Sequence, residues 1–174
     1  MQTVIDMRPE HSAPHLTVAI ADYADPLDAA DVVLLTDAYA RDEMGGGEPL
    51  TLEVRTRLVE RLAATPGAIS LVARVDGKPA GIANCFTGFS TFAARPLINV
   101  HDLGVLAEYR GRGVGQALLV AIEAEAARRG ACKVTLEVLS SNEPAKALYA
   151  KFGFAAYALG PAAGTAQFWE KKLP

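Results

Sequence analysis

A glycine-rich run between two strongly patterned segments limits the folds open to this chain. The run spans residues 109–116 and has the sequence Tyr-Arg-Gly-Arg-Gly-Val-Gly-Gln. A strand-like apolar segment, 97–106, precedes it, and a helical pattern from Ala117 to Arg129 follows it. A turn that opens a helix presents backbone N–H groups at the positive end of the helix dipole, and glycines let a phosphate approach them closely. The run therefore predicts a binding site for a phosphate-bearing cofactor.

The spacing within this run excludes two familiar phosphate-binding loops. A dinucleotide fingerprint that begins at Gly111 needs glycine or alanine at position 116, where Gln116 stands. A P-loop needs Gly-Lys-Ser or Gly-Lys-Thr, and neither triplet occurs in the sequence. What remains is Arg110-x-x-Gly113-x-Gly115 after a strand. The alternative interpretation is a glycine-rich turn from strand to helix that binds nothing.

The composition indicates a single globular domain and argues against several classes of protein. The chain has 174 residues, of which 51% are hydrophobic, enough for one sizeable core. A net charge of −3 argues against non-specific nucleic-acid binding. Cys85 and Cys132 form no CxxC motif, so we expect neither a metal site nor a disulfide scaffold. The chain also has no apolar signal core and no run of membrane-spanning length, which favours a cytoplasmic protein without membrane association.

Acidic residues concentrate in the first third of the chain. Between Leu16 and Glu53, nine acids accompany one base, Arg41, which leaves −8 in this segment and +5 in the rest of the chain. A solvated acidic helix face is the commoner meaning of such a cluster. The functional alternative is an acidic side that attracts a cationic amine, opposite a basic side that holds the cofactor.

Hydrophobic periodicity divides the chain into a short tail, residues 1–14, and one domain, residues 15–174. Apolar residues at helical spacing predict helices at 26–44, 51–64, 116–129 and 143–152. Thr51, and either Ser141 or Asn142, are typical N-caps. Strand patterns occupy 16–21, 69–75, 79–86, 97–106 and 131–139. We expect a loop at 87–96 and a closing hairpin formed by 154–159 and 166–172.

A second motif follows the strand that comes after the glycine-loop helix. Residues 141–154 contain Asn142, Ala145, Tyr149 and the pair Gly153-Phe154. Together with the glycine loop, in the same order and spacing, this segment resembles the two signatures of the GNAT family of N-acetyltransferases. The resemblance implies an α/β (α+β) GNAT fold, with a central mixed, mostly antiparallel sheet of six to seven strands flanked by about four helices. It also implies acetyl-CoA as the cofactor and CoA as the product.

The resemblance further implies where the cofactor lies. The pantetheine arm would enter a gap between strands 97–106 and 131–139, where the backbones of Leu103 and Val105 would hold it like an added strand. Asn142 and Tyr149 would lie beside it. The pyrophosphate would be held by Arg110, Gly111, Arg112, Gly113, Val114, Gly115 and Gln116. The alternatives are ordinary core packing for Leu103 and Val105 and ordinary surface positions for the arginines.

The catalytic residues that the resemblance implies are a tyrosine acid and a base on the strand before the loop. Tyr149 would protonate the departing thiolate; the alternative is a core tyrosine on the apolar face of its helix. His101 and Asp102 occupy positions where polyamine acetyltransferases carry a Glu-Asp pair. His101 is expected to be the base, directly or through a water, and the alternative is a structural histidine beside the core. Asp102 is the alternative base or an orienting group. Because adjacent strand residues point to opposite faces, only one would face the pocket unless a bulge changes the alternation.

These features predict an enzyme that moves acetyl from acetyl-CoA to a primary amine by direct attack in a ternary complex. We expect a small cationic acceptor. Two alternatives stay open: a peptide or protein N-acetyltransferase, and a non-catalytic acyl-CoA-binding regulatory module. Nucleic acid is not an expected partner, and a homodimer is possible because dimers are common in the family that the chain resembles.

Overall fold

A five-stranded sheet forms the centre of the computed structural model, which describes residues 14–158, 160, 164 and 166–173. Its strands, in spatial order, are β1 (Leu16–Ile20), β2 (Ala68–Val75), β3 (Lys78–Ser90), β4 (Arg95–Val105) and β5 (Val134–Leu136). The first four run antiparallel, and β5 joins β4 in parallel. Nearly all of the predicted tail, residues 1–13, lies outside the described residues.

Four α-helices accompany the sheet in the described part of the chain. They are α1 (Pro26–Arg41), α2 (Leu52–Ala64), α3 (Val114–Arg128) and α4 (Glu143–Lys151). Side-chain oxygens of Asp25, Thr51 and Asn142 cap α1, α2 and α4. Because the first N–H groups of a helix have no partner within it, these caps fix where each helix begins. None of the helices described is long and apolar enough to cross a membrane.

The two faces of the sheet carry different helices. On one face, Leu118 and Ile122 of α3 are fully buried against the strands. On the other face, Val32 of α1 packs with Val72 and Ile82 of the central strands, and α2 contributes to the same core. The face to which a β4 side chain points therefore decides which helices it meets.

The number of strands predicted from the sequence is wrong for the described residues. The sheet has five strands instead of six to seven. Within the described part of the expected closing hairpin, the Ala166 N–H donates to the Tyr157 carbonyl at 3.0 Å. Parts of that hairpin, including positions 159, 161–163 and 165, lie outside the description. The strand expected at 131–139 is also shortened, because only Val134–Leu136 pair with β4.

The segment expected to be a loop at 87–96 is largely strand. β3 continues to Ser90 and β4 begins at Arg95, so a tight turn at 91–94 joins them. Phe89 and Phe92 are exposed near this turn, and Phe92 is fully exposed. The sequence of this segment mixes small and aromatic residues without the alternation that predicts a strand. Alternation arises when one face of a strand packs against a core, and the exposed Phe89 and Phe92 do not pack in that way.

Candidate active site

β4 continues past the end of β5 and leaves one side of its backbone without a strand partner. The β4–β5 pairing covers Ile98–Val100, whereas β4 runs on to Val105. A cavity of about 680 Å³ opens there and is bounded by Leu103, Gly104 and Val105. Free strand edges bind extended chains through backbone hydrogen bonds. The gap can therefore accept an extended ligand that carries amide groups.

The glycine loop supplies a second wall of this cavity, through Arg110, Gly111, Gly113, Val114, Gly115 and Gln116. Gly111 and Gly113 have φ of +73° and +82°, a region that other L-residues rarely adopt. The first hydrogen bond of α3 runs from the Ala117 N–H to the Gly113 carbonyl. The N–H groups of residues 114–116 precede that bond, so they are available to an anion at the helix N-terminus.

The two arginines of the loop are held differently. Arg110 forms an ion pair with Asp42, and its Nε donates to the Val105 carbonyl at 3.1 Å. The guanidinium of Arg112 lies 5.8 Å from the centre of the Tyr109 ring. Arg110 borders the cavity and Arg112 does not. Of the two, Arg110 is the better placed to contact a phosphate. It would then bind the phosphate in addition to Asp42 and the Val105 carbonyl.

The second motif places Asn142 at the cavity and Tyr149 in the core. Asn142 caps α4 and lines the cavity. Tyr149 is only 9% exposed, lies outside the cavity lining, and has its ring 5.9 Å from that of Phe154. Burial, with a smaller contribution from Tyr39, raises the pKa of Tyr149 to about 12. Its hydroxyl therefore keeps its proton throughout the neutral pH range.

A β-bulge places both His101 and Asp102 on the face of the sheet that carries α1. The β3–β4 pairing skips one residue of β4 between Val100 and Asp102, which leaves His101 as an extra residue. The His101 ring meets Phe86 edge-on at 5.7 Å, and Asp102 Oδ2 accepts from Asn84 Nδ2 at 3.1 Å. Both partners belong to the side of α1 and α2. Simple strand alternation, which would point only one of the two toward this face, therefore does not apply here.

Tyr39 of α1 is a cavity residue that the sequence analysis did not single out. It lines the cavity beside Gly104, where an added Cβ would lie 2.9 Å from the Cβ of Tyr39. Burial raises the pKa of the Tyr39 hydroxyl, and the charges of Asp102 and Asp42 raise it further. A glycine within a strand often marks a close neighbour, so Gly104 was the available signal.

Glu137 is the second residue that the sequence analysis missed. It follows β5 and lies beside β4, where Asn99 Nδ2 is 3.4 Å from each of its carboxylate oxygens. The same amide nitrogen donates to Thr135 Oγ1 at 3.2 Å. The strand pattern at 131–139 showed Glu137 only as an alternating polar residue, because the end of β5 depends on pairing with a distant strand.

The Cys85 thiol is unsuited to act as a nucleophile. Cys85 is buried, and burial raises the pKa of its thiol to about 12. The thiolate is the reactive form, so this cysteine stays inert near neutral pH. Within the described ranges, no three His, Cys, Asp or Glu side chains come together in a way that could hold a metal ion.

Two curated relatives are similar to part of this chain. An N-alpha-acetyltransferase of Sulfurisphaera tokodaii is 39% identical over 94 residues, which cover 50% of this chain and 56% of that protein. An uncharacterized N-acetyltransferase of Methanocaldococcus jannaschii is 34% identical over 84 residues, 48% of this chain and 37% of that protein. The matches therefore span about half of this chain and at most 56% of these two relatives.

A solved structure and a family profile match more of the chain than the two curated relatives do. An aminoglycoside N-acetyltransferase, AAC(6')-Iy, solved in complex with CoA, superposes with a TM-score of 0.70 over 95% of this chain and 100% of its own. At 14% identity this likeness concerns the fold alone. The profile of the acetyltransferase (GNAT) family matches residues 35–154, which include β4, the glycine loop and α4. The chain belongs to the GNAT family of acetyltransferases.

Proposed function

We propose that the protein transfers an acetyl group from acetyl-CoA to a primary amine in a ternary complex. The open edge of β4 at Leu103–Val105, leading into the N-terminus of α3, is the observation that carries this proposal. A pyrophosphate held at residues 111–116 and a pantetheine arm along β4 would bring the thioester toward His101. Acetyl-CoA use also agrees with family membership.

The proposed reaction needs no covalent intermediate on the protein. The amine nitrogen attacks the thioester carbonyl, the C–N bond forms and the C–S bond breaks, while the amine loses one proton and the sulfur gains one. A β4 N–H such as that of Val105 would stabilise the developing oxyanion. Tyr149 lies outside the cavity lining, so for its hydroxyl to donate to the sulfur the bound thioester would have to reach past that lining. A thiol pKa of about 8.5 lies below that of Tyr149, so the hydroxyl would stabilise the departing thiolate by a hydrogen bond, and the thiolate would take its proton from solvent.

Binding and deprotonation of the amine would fall to the two residues at the β4 bulge, His101 and Asp102. Asp102, fixed by its hydrogen bond from Asn84, would bind the incoming ammonium group. The exposed imidazole of His101 would take the proton released on attack, directly or through a water. These roles require both side chains on one face of β4, and their contacts with Phe86 and Asn84 support that arrangement.

A small cationic amine is the acceptor favoured by charge. Asp102 of β4 and Glu137, which follows β5, carry carboxylates just past the last β4–β5 pair, Val100 with Leu136, although neither lines the cavity. The acidic segment at 16–53 contributes less than its composition suggests, since several of its acids already have cationic partners. These pairs are Asp28 and Asp31 with Arg74, Asp37 with Arg41, and Asp42 with Arg110.

A peptide α-amine is the second candidate acceptor. Its support is the similarity to the S. tokodaii protein, which is named an N-alpha-acetyltransferase. An α-amine has an ordinary pKa of about 8, against about 10.4 for a lysine-like amine. More of the reactive neutral form therefore exists at pH 7, and kcat/KM for a peptide acceptor should level off at lower pH than for an alkylamine.

Release of free CoA thiol from acetyl-CoA tests the proposal across polyamines, aminoglycosides, amino acids and peptides. We expect turnover on one acceptor class and a loss of about tenfold or more in Tyr149→Phe, because the hydrogen-bond donor to sulfur is removed. Tyr157→Phe is the matched control, since Tyr157 is 58% exposed and should leave the rate unchanged. Acetyl-CoA binding without turnover on any acceptor would favour the binding module instead.

A further inference from the structure

We propose that Asn84 is a positioning residue that holds the Asp102 carboxylate toward the acceptor. The inference rests on the proposed function, which gives Asp102 the task of binding the amine. Asn84 lies on β3 directly opposite Asp102, and only 3% of its surface is exposed. It does not line the cofactor cavity, so any effect on the reaction passes through the residues it contacts.

Asn84 is the centre of a hydrogen-bond network on the α1 face of the sheet. Its Nδ2 donates to Asp102 Oδ2 and to Thr36 Oγ1, both at 3.1 Å. Its Oδ1 accepts from Ser70 Oγ at 2.6 Å, and Ser70 Oγ lies 3.0 Å from the Tyr23 hydroxyl. Because Ser70 has one hydroxyl proton and donates it to Asn84, Tyr23 is the donor in its contact with Ser70. Every polar atom of the Asn84 amide thus has a partner.

The network fixes the orientation of the amide. A carboxylate offers only acceptors, so it requires the NH₂ group of Asn84 on its side. A flipped amide would set its oxygen against Asp102 Oδ2, which cannot donate, whereas the Ser70 and Thr36 hydroxyls can either donate or accept. An amide also does not relay protons as a hydroxyl does. The network can therefore orient Asp102, and it does not serve as a proton path from Tyr23.

The location of the network argues for a role beyond folding. Ser70 is fully buried and Asn84 nearly so, on strands whose neighbours Val72 and Ile82 form an apolar core. Buried polar groups often stabilise a fold no more than apolar side chains of similar volume. These polar residues lead to Asp102, which is partly exposed and stands on β4 just past its last pair with β5. The geometry thus directs buried, fully satisfied hydrogen bonds toward one carboxylate of the proposed acceptor site.

The test compares Asn84→Ala with Thr36→Val, alone and combined with Asp102→Asn. Thr36→Val removes a hydrogen bond of the same amide but keeps the contact with Asp102, so it is the matched control. We expect Asn84→Ala to lower kcat/KM for the amine about tenfold or more, because a hydrogen bond to a charged group is lost. In Asn84→Ala, KM for acetyl-CoA should stay within about twofold of its value in the unmodified chain. In Thr36→Val, kcat and kcat/KM should both stay within about threefold. In the Asp102→Asn background, Asn84→Ala should add less than about twofold.

The outcomes separate this inference from the proposed function. Equal losses in Asn84→Ala and Thr36→Val, or an undiminished effect in the Asp102→Asn background, would overturn the positioning role. Turnover by the unmodified chain with normal kinetics in Asn84→Ala overturns the inference alone. Absence of turnover in the unmodified chain overturns the proposed function, and the inference with it. If thermal unfolding shows that Asn84→Ala does not fold, Asn84→Ser carries the same comparison.

Discussion

At the scale of single residues, Glu125 shows how α3 holds a carboxylate out of water. The side chain is 7% exposed and forms ion pairs with Arg128, the last residue of the helix, and Arg129, its C-cap, at 2.7 and 2.5 Å. The hydrogen bonds from Arg128 and then Arg129 outweigh burial and lower the pKa of Glu125 from 4.5 to about 2. The folded state therefore favours the charged form of this carboxyl more than the unfolded chain does.

We expect Glu125→Gln to lower the free energy of unfolding at pH 7 by about 2 kcal/mol, since it removes a buried partner of two arginines. The contribution of Glu125 is fully present above pH 4.5 and is lost as the pH falls through about 2. Urea unfolding at several pH values measures it. The difference between the two proteins should shrink as the pH falls from 4.5 to 2. A Glu123→Gln control, at an exposed position of the same helix, should show little difference at any pH.

At the scale of elements, contact between α1 and β4 depends on the absence of a side chain at Gly104. A Cβ added there would lie 2.9 Å from the Cβ and 3.1 Å from the Cδ2 of Tyr39. The Cβ of Tyr39 is tied to the helix backbone, so it cannot yield by rotation alone. α1 and β4 meet at the cavity because this glycine lets the helix approach the strand.

We expect Gly104→Ala to lower the free energy of unfolding by about 1–3 kcal/mol, because α1 must shift away from β4. The same shift should weaken acetyl-CoA binding, since Tyr39 and Gly104 both line the cavity. Chemical unfolding and equilibrium binding measure the two effects. Gly88→Ala is the matched strand control: its Cβ would meet only the Leu97 side chain, at 3.0 Å from Cδ1 and 3.4 Å from Cγ. Equal destabilisation by both substitutions would contradict this account.

Local signals predicted the helices better than the sheet. Thr51 and Asn142 cap helices where the sequence places them, since a cap is decided by residues three or four apart. The early end of β5 and the skipped residue at His101 depend on pairing between segments far apart in sequence. The alternation of apolar and polar residues therefore could not predict where β5 ends or where β4 carries its bulge.

In the candidate site too, the residues with local motifs were predicted and those placed by long-range packing were not. The glycine loop and Asn142 carry local motifs, and the structure places them around one cavity. Tyr39 and Asn84 carry no motif, because their position at the site follows from packing of α1 and β3 against β4. Their part in the site was therefore visible only in three dimensions.

At the scale of the whole molecule, part of the chain's negative charge is held in internal ion pairs rather than offered to an acceptor. The net charge is −3, but the first third holds several of its carboxylates in internal ion pairs. Asp102 and Glu137 follow the last paired residues of β4 and β5, where the two strands separate. Attraction of a cationic acceptor would thus arise from a few groups near the proposed site rather than from the overall charge.

We expect kcat/KM for a polyamine, at saturating acetyl-CoA, to fall several-fold as salt rises, because screening acts over about 10 Å at 0.1 M. A monoamine should show a shallower dependence, since it carries less charge. Steady-state rates across a salt series measure both slopes. Glu137→Gln should flatten the polyamine slope, and an unchanged slope in this variant would contradict a role for Glu137 in attracting the acceptor.

The bulge in β4 separates the residue that carries the proposed base from the residues that fill the two cores. Val100 and Leu103 belong to the core on the α3 side, whereas Asp102 and Gly104 meet partners on the α1 side. If His101 is left out, these four residues alternate without a break. His101 is thus the extra residue of the bulge: it contacts Phe86 but stands outside the alternation of β4. Substitution at this one position changes the chemical group at the proposed site and leaves that alternation in place, so reactivity and packing are set by different residues of one strand.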